Sequence, residues 1–179
     1  MKKLKVDATW TLFLDRDGVI NKRNFDGYIT QPKDFIFEAS VLTTLPQLAK
    51  RFGTIIVVTN QQGVAKKIMS ESNLEEVHRY MLKAIKEVGG RINQVYSATN
   101  LKGEPNDRRK PNAAMAEEAK AQYPMIDFKK SIMVGDTDSD ILFGKKNGMK
   151  TVLIRSAEVT TESADFTIDT FSELMEIFE

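Results

Sequence analysis

Two aspartates one residue apart, Asp15 and Asp17, close a short apolar run in Thr11-Leu-Phe-Leu-Asp-Arg-Asp-Gly-Val-Ile-Asn21, immediately before Gly18. A third, Asp136, closes another apolar run in Met133-Val-Gly-Asp-Thr-Asp-Ser-Asp140. Carboxylates gathered at one place repel one another unless a cation sits among them. A hard divalent ion with oxygen ligands resolves that conflict, and Mg2+ is the default. The plainer account is that the acids cap the helices that follow. For Asp138 and Asp140 the two accounts weigh equally; for Asp15 together with Asp17 the cap is the poorer one.

Two more clusters could serve the same chemistry. In Thr59-Asn60-Gln61-Gln62-Gly63 a hydroxyl, backbone N–H groups and a helix start could cradle an anion, although an N-cap with a turn is the simpler account. Arg108-Arg109-Lys110-Pro111 precedes an alanine-rich stretch in which Pro111 suits a first helical turn. Cations at a helix start oppose the dipole and so point to an anionic partner, while a solvated loop cluster explains them equally simply. A guanidinium and an ammonium beside three carboxylates suit phosphoryl transfer, where cations balance the phosphate charge while a carboxylate attacks.

The elements that must position these residues are an alternation of strands and helices. Strands are expected at Trp10–Leu14, Thr54–Val58, Gln94–Ala98, Ser131–Val134 and Thr151–Ile154, with a weaker one near Asp165–Ile168. Helices are expected at Ser40–Arg51, Ser72–Val88, Asn112–Gln122, Asp138–Asn147 and Ser172–Phe178. Strands apolar on both faces and separated by helices imply an α/β fold, a three-layer doubly wound parallel sheet. Ligands bind beyond the carboxyl ends of such strands, where the polar residues collect. Gly18 permits the chain to turn away after Asp17. Arg16 is expected to point elsewhere in a structural role. The irregular stretch from Gly18 to Glu38 is too short for a domain and reads as a flap. No separate cap domain is expected, and residues 1–179 read as a single domain with an open site.

Composition narrows the function further. The chain has 179 residues, a net charge of +1 and no cysteine. Near-neutral charge gives no basis for binding nucleic acid or a membrane surface. The absence of cysteine removes disulfides, thiolate catalysis and cysteine-ligated zinc, and suits a reducing compartment. Basic residues open the chain without an apolar run behind them, unlike a signal peptide, and no apolar run nears the roughly 20 residues of a membrane span. A cytoplasmic monomer is expected. The lone histidine, His78, falls in an apolar-periodic helix and reads as a surface or core-edge residue. Phe25, Tyr28 and Phe35 could line a pocket, or simply pack the flap.

In this order the motifs resemble the haloacid dehalogenase (HAD) superfamily of phosphatases. "FLDRDGVIN" is similar to its first motif, Thr59-Asn60 to the second, Lys110 to the third and "VGDTDSD" to the fourth. "DRDGVIN…GYI", "TNQQGV" and "RRKP" resemble the branch holding histidinol-phosphate and heptose-1,7-bisphosphate phosphatases. The resemblance implies a HAD-like Rossmannoid fold. It implies an Mg2+-dependent phosphomonoester hydrolase acting on a small phosphorylated metabolite through an aspartyl-phosphate. Asp15 would be the nucleophile and Asp17 the general acid and then base. Thr59 and Lys110 would hold the phosphoryl oxygens. Asp15, the Asp17 carbonyl and Asp136 would hold Mg2+, and Arg109 and Asn60 would contact substrate. The 7-phosphate of a heptose bisphosphate is the first choice. Histidinol phosphate, or a non-catalytic phosphate-binding role, is the alternative. Two positions depart from the branch: "ATNLKGEPNDRRKP" lacks the Cys and His of its zinc loop, so no zinc is expected, and Thr137 follows Asp136 where the heptose enzymes often carry Lys.

Overall fold

The computed structural model describes residues 3–179; Met1 and Lys2 of the basic N-terminal stretch lie outside the described residues. Six strands form, β1 (Thr11–Leu14), β2 (Thr54–Asn60), β3 (Gln94–Ala98), β4 (Ser131–Gly135), β5 (Lys150–Ile154) and β6 (Phe166–Ile168). They make one sheet in the order β3-β2-β1-β4-β5-β6. Every neighbouring pair is parallel, with Leu14 opposite Val57 on one side and Val134 on the other.

The helices are α1 (Val41–Arg51), α2 (Glu71–Glu87), α3 (Ala114–Gln122), α4 (Asp138–Lys146) and α5 (Leu174–Ile177). Alternation along the strands divides the core in two. Leu12, Leu14, Ile55, Val57, Ile132 and Val134 pack with α1, α2 and α5. Phe13, Ile56, Val58 and Met133 pack with α3 and α4 on the other face. Burial on both faces is why these strands read as unbroken apolar runs. α2 begins where Ser70 and Asn73 form a capping box, and its Leu74, Val77, Met81 and Ile85 are buried at helical spacing.

The chain runs β1 to β3 outward in one direction, then crosses back to place β4 against the free side of β1. Strand order therefore reverses between β1 and β4, and a crevice opens at their carboxyl ends. No separate cap domain is present among the described residues. The flap instead folds back on itself: Lys22 N donates to Ile36 O at 2.8 Å and Glu38 N to Ile20 O at 2.9 Å.

Two expected helix starts fall elsewhere. α3 begins at Ala114 rather than Asn112, so Pro111 lies in the turn before it and not in its first turn. No helix follows Thr59 directly; residues 62–67 form turns and α2 starts only at Glu71, which removes a helix dipole as an anion cradle there. The last helix is a 3-10 turn at Phe171–Glu173 leading into α5.

Candidate active site

Asp15 extends β1 by one residue, its N–H donating to Val134 O at 2.9 Å, so its position is fixed by the sheet itself. Asp136 follows β4, the neighbouring strand. The chain leaves β1 sharply because Gly18 adopts φ +85°, where a Cβ would collide with the Asp136 carboxylate. Gly135 similarly lets the Asp140 side chain come against β4. Asp15, Asp136 and Asp140 are all buried and each brings a carboxylate oxygen within 4.8 Å of the others.

One ammonium holds this cluster together. Lys110 Nζ lies 2.8 Å from Asp15 Oδ1, 2.6 Å from Asp140 Oδ1 and 2.8 Å from Val58 O. It donates a hydrogen bond to Val58 O and forms buried ion pairs with the two carboxylates. Burial alone would lower its pKa, but Asp140 and Asp15 outweigh that and keep it raised. The carboxylates remain in excess. Burial, with Asp140, Asp136 and Asp17 nearby, pushes Asp15 up to about 7 against the pull of Lys110. Burial likewise raises Asp136 to about 6 against Arg23. A hard divalent cation fits this oxygen donor set and would keep both acids ionised.

Asp140 turns out to be both cap and site residue. Its Oδ2 accepts from Thr137 N at 3.1 Å and Thr137 Oγ1 at 2.6 Å, closing the capping box of α4, while Oδ1 faces Lys110. Asp138 is structural: it accepts from Thr161 N and Glu162 N, each at 2.9 Å, and pins that segment.

Asp17 is set apart from the cluster. Its carboxylate accepts from Arg16 Nη2 at 2.9 and 3.0 Å, from Asn21 Nδ2 at 2.9 Å and from Gln61 Nε2 at 2.7 Å. Burial would raise it, yet Arg16, Asn21 and Gln61 bring it below the usual carboxylate range. Arg16 thus does not point away from Asp17 but grips it, because the turn after β1 brings both side chains to one side. It is 1% exposed, and its Nη1 lies 3.2 Å from Nε2 of the partly buried His78. Gln61 also donates to Thr59 Oγ1 at 2.9 Å, linking the second strand end to Asp17.

Asn60, expected to contact substrate, spends both ends of its amide on the Lys110 backbone. Arg109 lines the pocket, and its buried Nη1 has no protein partner. The loop that departs from the zinc pattern is organised by Asp107. That carboxylate accepts from Asn100 Nδ2 at 2.7 Å, Gly103 N at 3.1 Å and Arg109 N at 2.9 Å. The pocket above these groups has a volume of about 460 Å³ and includes Phe25 and Tyr28 of the flap. Phe35 does not reach it; it is buried edge-on against Phe37, with ring centroids 5.0 Å apart.

Sequence reasoning missed Arg23, Gln61, Asn21 and Asp107 as organising residues. Gln61 could have been found from its place just past the second strand end. Arg23 sits in an irregular loop that carries no spacing signal.

A fold of this order with four acids, a lysine and a threonine at its central strand ends defines a class. The chain belongs to the HAD superfamily of phosphatases. The family model described as "HAD-hyrolase-like" matches residues 107–174. More particularly, the chain is 31% identical over 161 residues to a D-glycero-alpha-D-manno-heptose-1,7-bisphosphate 7-phosphatase of Photorhabdus laumondii, covering 86% of each chain. It is 31% identical to the corresponding beta-anomer enzyme of Helicobacter pylori, covering 80% of this chain and 82% of that one. The fold matches a crystal structure of D,D-heptose 1.7-bisphosphate phosphatase from B. bronchiseptica complexed with magnesium and phosphate. That match has a TM-score of 0.84 at 22% identity and covers 93% of this chain and 96% of that one.

Proposed function

We propose that this phosphatase removes the 7-phosphate of a D-glycero-D-manno-heptose 1,7-bisphosphate through an aspartyl-phosphate on Asp15. The observation that carries the chemistry is the Asp15–Lys110–Asp140 ion cluster beside Asp136 at the floor of an open pocket. The substrate rests on the relatives, which are named for this reaction with both anomers.

In this reading an Asp15 carboxylate oxygen attacks phosphorus as the sugar oxygen leaves, and Asp17 delivers a proton to that oxygen. Water then attacks the aspartyl-phosphate, Asp17 takes its proton, and inorganic phosphate and free Asp15 result. Asp17 must first leave Arg16, since the bonds that hold it in place favour the carboxylate. Lys110 keeps Asp15 in line and balances its charge, and Thr59 Oγ1 contributes a hydroxyl to the phosphoryl oxygens. Asp15, the Asp17 carbonyl and Asp136 would hold Mg2+, which when bound supplies positive charge to the phosphoryl group. Arg109, with an unused donor, suits the second phosphate. The same reading takes residues 1–179 as one catalytic unit, acting as a cytoplasmic monomer; no described helix is long and apolar enough to cross a membrane.

The test is phosphate release with Mg2+ from both heptose 1,7-bisphosphate anomers, histidinol phosphate, other sugar phosphates and a 3′-phosphorylated oligonucleotide, with Asp15→Asn alongside. A kcat/KM preference for one heptose anomer, lost in Asp15→Asn, supports the proposal. Preference for histidinol phosphate replaces the substrate and keeps the chemistry. Equal behaviour of wild type and variant on every ester removes the enzyme reading.

A further inference from the structure

Arg23 comes from the flap, yet its guanidinium reaches the acidic cluster. Nη2 donates to Asp136 Oδ1 at 2.7 Å, Nε to Asp136 Oδ2 at 3.1 Å, and Nη2 also to the Asp17 carbonyl at 3.2 Å. Two of the three groups assigned to Mg2+ are therefore held by one side chain of this chain. Asp136 is fully buried whereas the Arg23 side chain is 24% exposed, so the cation reaches inward from the pocket wall. On its outer side Nη1 lies 3.6 Å from Oε1 of Glu158, which is 40% exposed at the pocket mouth.

We propose that Arg23 is a tethered counter-ion that competes with the divalent metal for Asp136 and the Asp17 carbonyl, and so sets the metal affinity of the enzyme. The proposal rests on the assignment of those two groups, with Asp15, to the metal. The bidentate pairing uses both oxygens of Asp136, and a metal needs at least one of them. A divalent ion at the same oxygens would sit against the guanidinium, and the repulsion between the two cations sets them in competition for that carboxylate. Without Arg23, Asp136 would be a buried acid without a cation partner, which is costly. With Arg23 in place, a metal ion that binds has to displace a guanidinium paired to a buried carboxylate. The apparent metal dissociation constant is then weakened by the fraction of molecules in which Arg23 has withdrawn. Glu158 gives the withdrawn guanidinium a second partner, and a neighbouring cavity of about 350 Å³, lined by Arg23, Phe25 and Asp136, gives it room.

The competition is specific to position 23. Lys22 is exposed and Lys110 is committed to Asp15 and Asp140, so neither substitutes for it. Arg109 has no bond to Asp136.

The experiment is direct metal binding without substrate, by Mn2+ electron paramagnetic resonance and Mg2+ calorimetry, on wild type, Arg23→Gln, Arg23→Lys, Glu158→Gln and Asp136→Asn. Arg23→Gln should bind Mn2+ about tenfold or more tighter than wild type. It should also melt lower than wild type without metal, the difference closing in saturating Mg2+. Arg23→Lys, which keeps the charge but not the fork, should fall between. Glu158→Gln should weaken metal binding in the wild-type background and leave it unchanged in Arg23→Gln. If Arg23→Gln and Arg23→Lys both bind metal no tighter than wild type, the competition is overturned while the metal site stands. If Asp136→Asn binds Mn2+ as wild type does, or none of the proteins binds it, the metal assignment itself fails and takes this inference with it.

Discussion

The side-chain amide of Asn60 closes both ways on the backbone of Lys110: Lys110 N donates to Asn60 Oδ1 at 2.9 Å, and Asn60 Nδ2 donates to Lys110 O at 3.2 Å. The end of β2 thereby sets the position of the lysine that binds Asp15. This linkage makes Asn60 a positioning residue whose effect should appear in turnover.

Asn60→Ala leaves a backbone donor and acceptor of Lys110 without partners, at a cost of about 1–3 kcal/mol. Displacing Lys110 from Asp15 should lower kcat by about 100-fold, with a smaller change in KM. Urea unfolding and steady-state kinetics on one preparation measure both. A variant that changes KM alone would return Asn60 to the substrate contacts.

Asp17→Asn should separate the two half-reactions. An alkyl phosphate needs a proton on its leaving oxygen, so its turnover should fall about 10²- to 10⁴-fold. An aryl phosphate with a good leaving group needs none, so rapid mixing should show a burst of phenolate followed by slow turnover. Equal loss on both substrates would remove Asp17 from proton transfer.

Asp107→Ala should loosen residues 100–109, because three donors lose their common acceptor. Arg109 would be held less firmly. KM for a bisphosphate should rise severalfold more than KM for a monophosphate, and limited proteolysis should cut this loop faster. Unchanged proteolysis would show that Arg108, bound to Glu118 at 2.6 and 2.8 Å, holds the loop alone.

His78 should make stability fall on acidification. Burial, and then the Arg16 charge, push it down to about 3 from an ordinary value of 6.5. Between those values the unfolded chain binds the extra proton, so the contribution is full above about pH 6.5 and lost as pH falls toward 3. Asp15 and Asp136, raised to about 7 and about 6, act in the opposite sense. The comparison is therefore wild type against His78→Gln, in which their effects cancel. The wild-type advantage should shrink steadily below pH 6.5; a difference that does not vary with pH would show that His78 binds its proton equally well in the folded and unfolded chain.

The sheet and its strand ends were legible because period and burial agree: Thr11–Leu14 is buried at all four positions, and its carboxylates follow at once. Asp15 and Asp136 stood out as candidates for the same reason, whereas Lys110 follows no strand and was singled out by the order of the motifs. The start of α3 was misplaced because Pro111 is as much at home in a turn as in a first helical turn. The orientation of Arg16 and the reach of Arg23 were illegible, since both depend on how the flap folds back over Gly18, and no local pattern encodes a contact 113 residues away, as between Arg23 and Asp136. Asp107 was hidden because a carboxylate collecting loop N–H groups looks, in sequence, like any other polar loop residue.

The reversal of strand order beside β1 also bears on synthesis. β1 emerges first, but its partner on one side is β4, which begins at Ser131. Until then the growing chain has a half-sheet of β1, β2 and β3 with the apolar edge of its future centre unpaired. Such an edge is a template for pairing with another chain. A ribosome paused before Ser131 would therefore display both an adhesive strand and an Asp15 carboxylate that lacks Asp136 and Asp140. Synthesis of β4 and α4 both seals that edge and brings Asp136 and Asp140 to Asp15, so no intermediate that stops short of them has either.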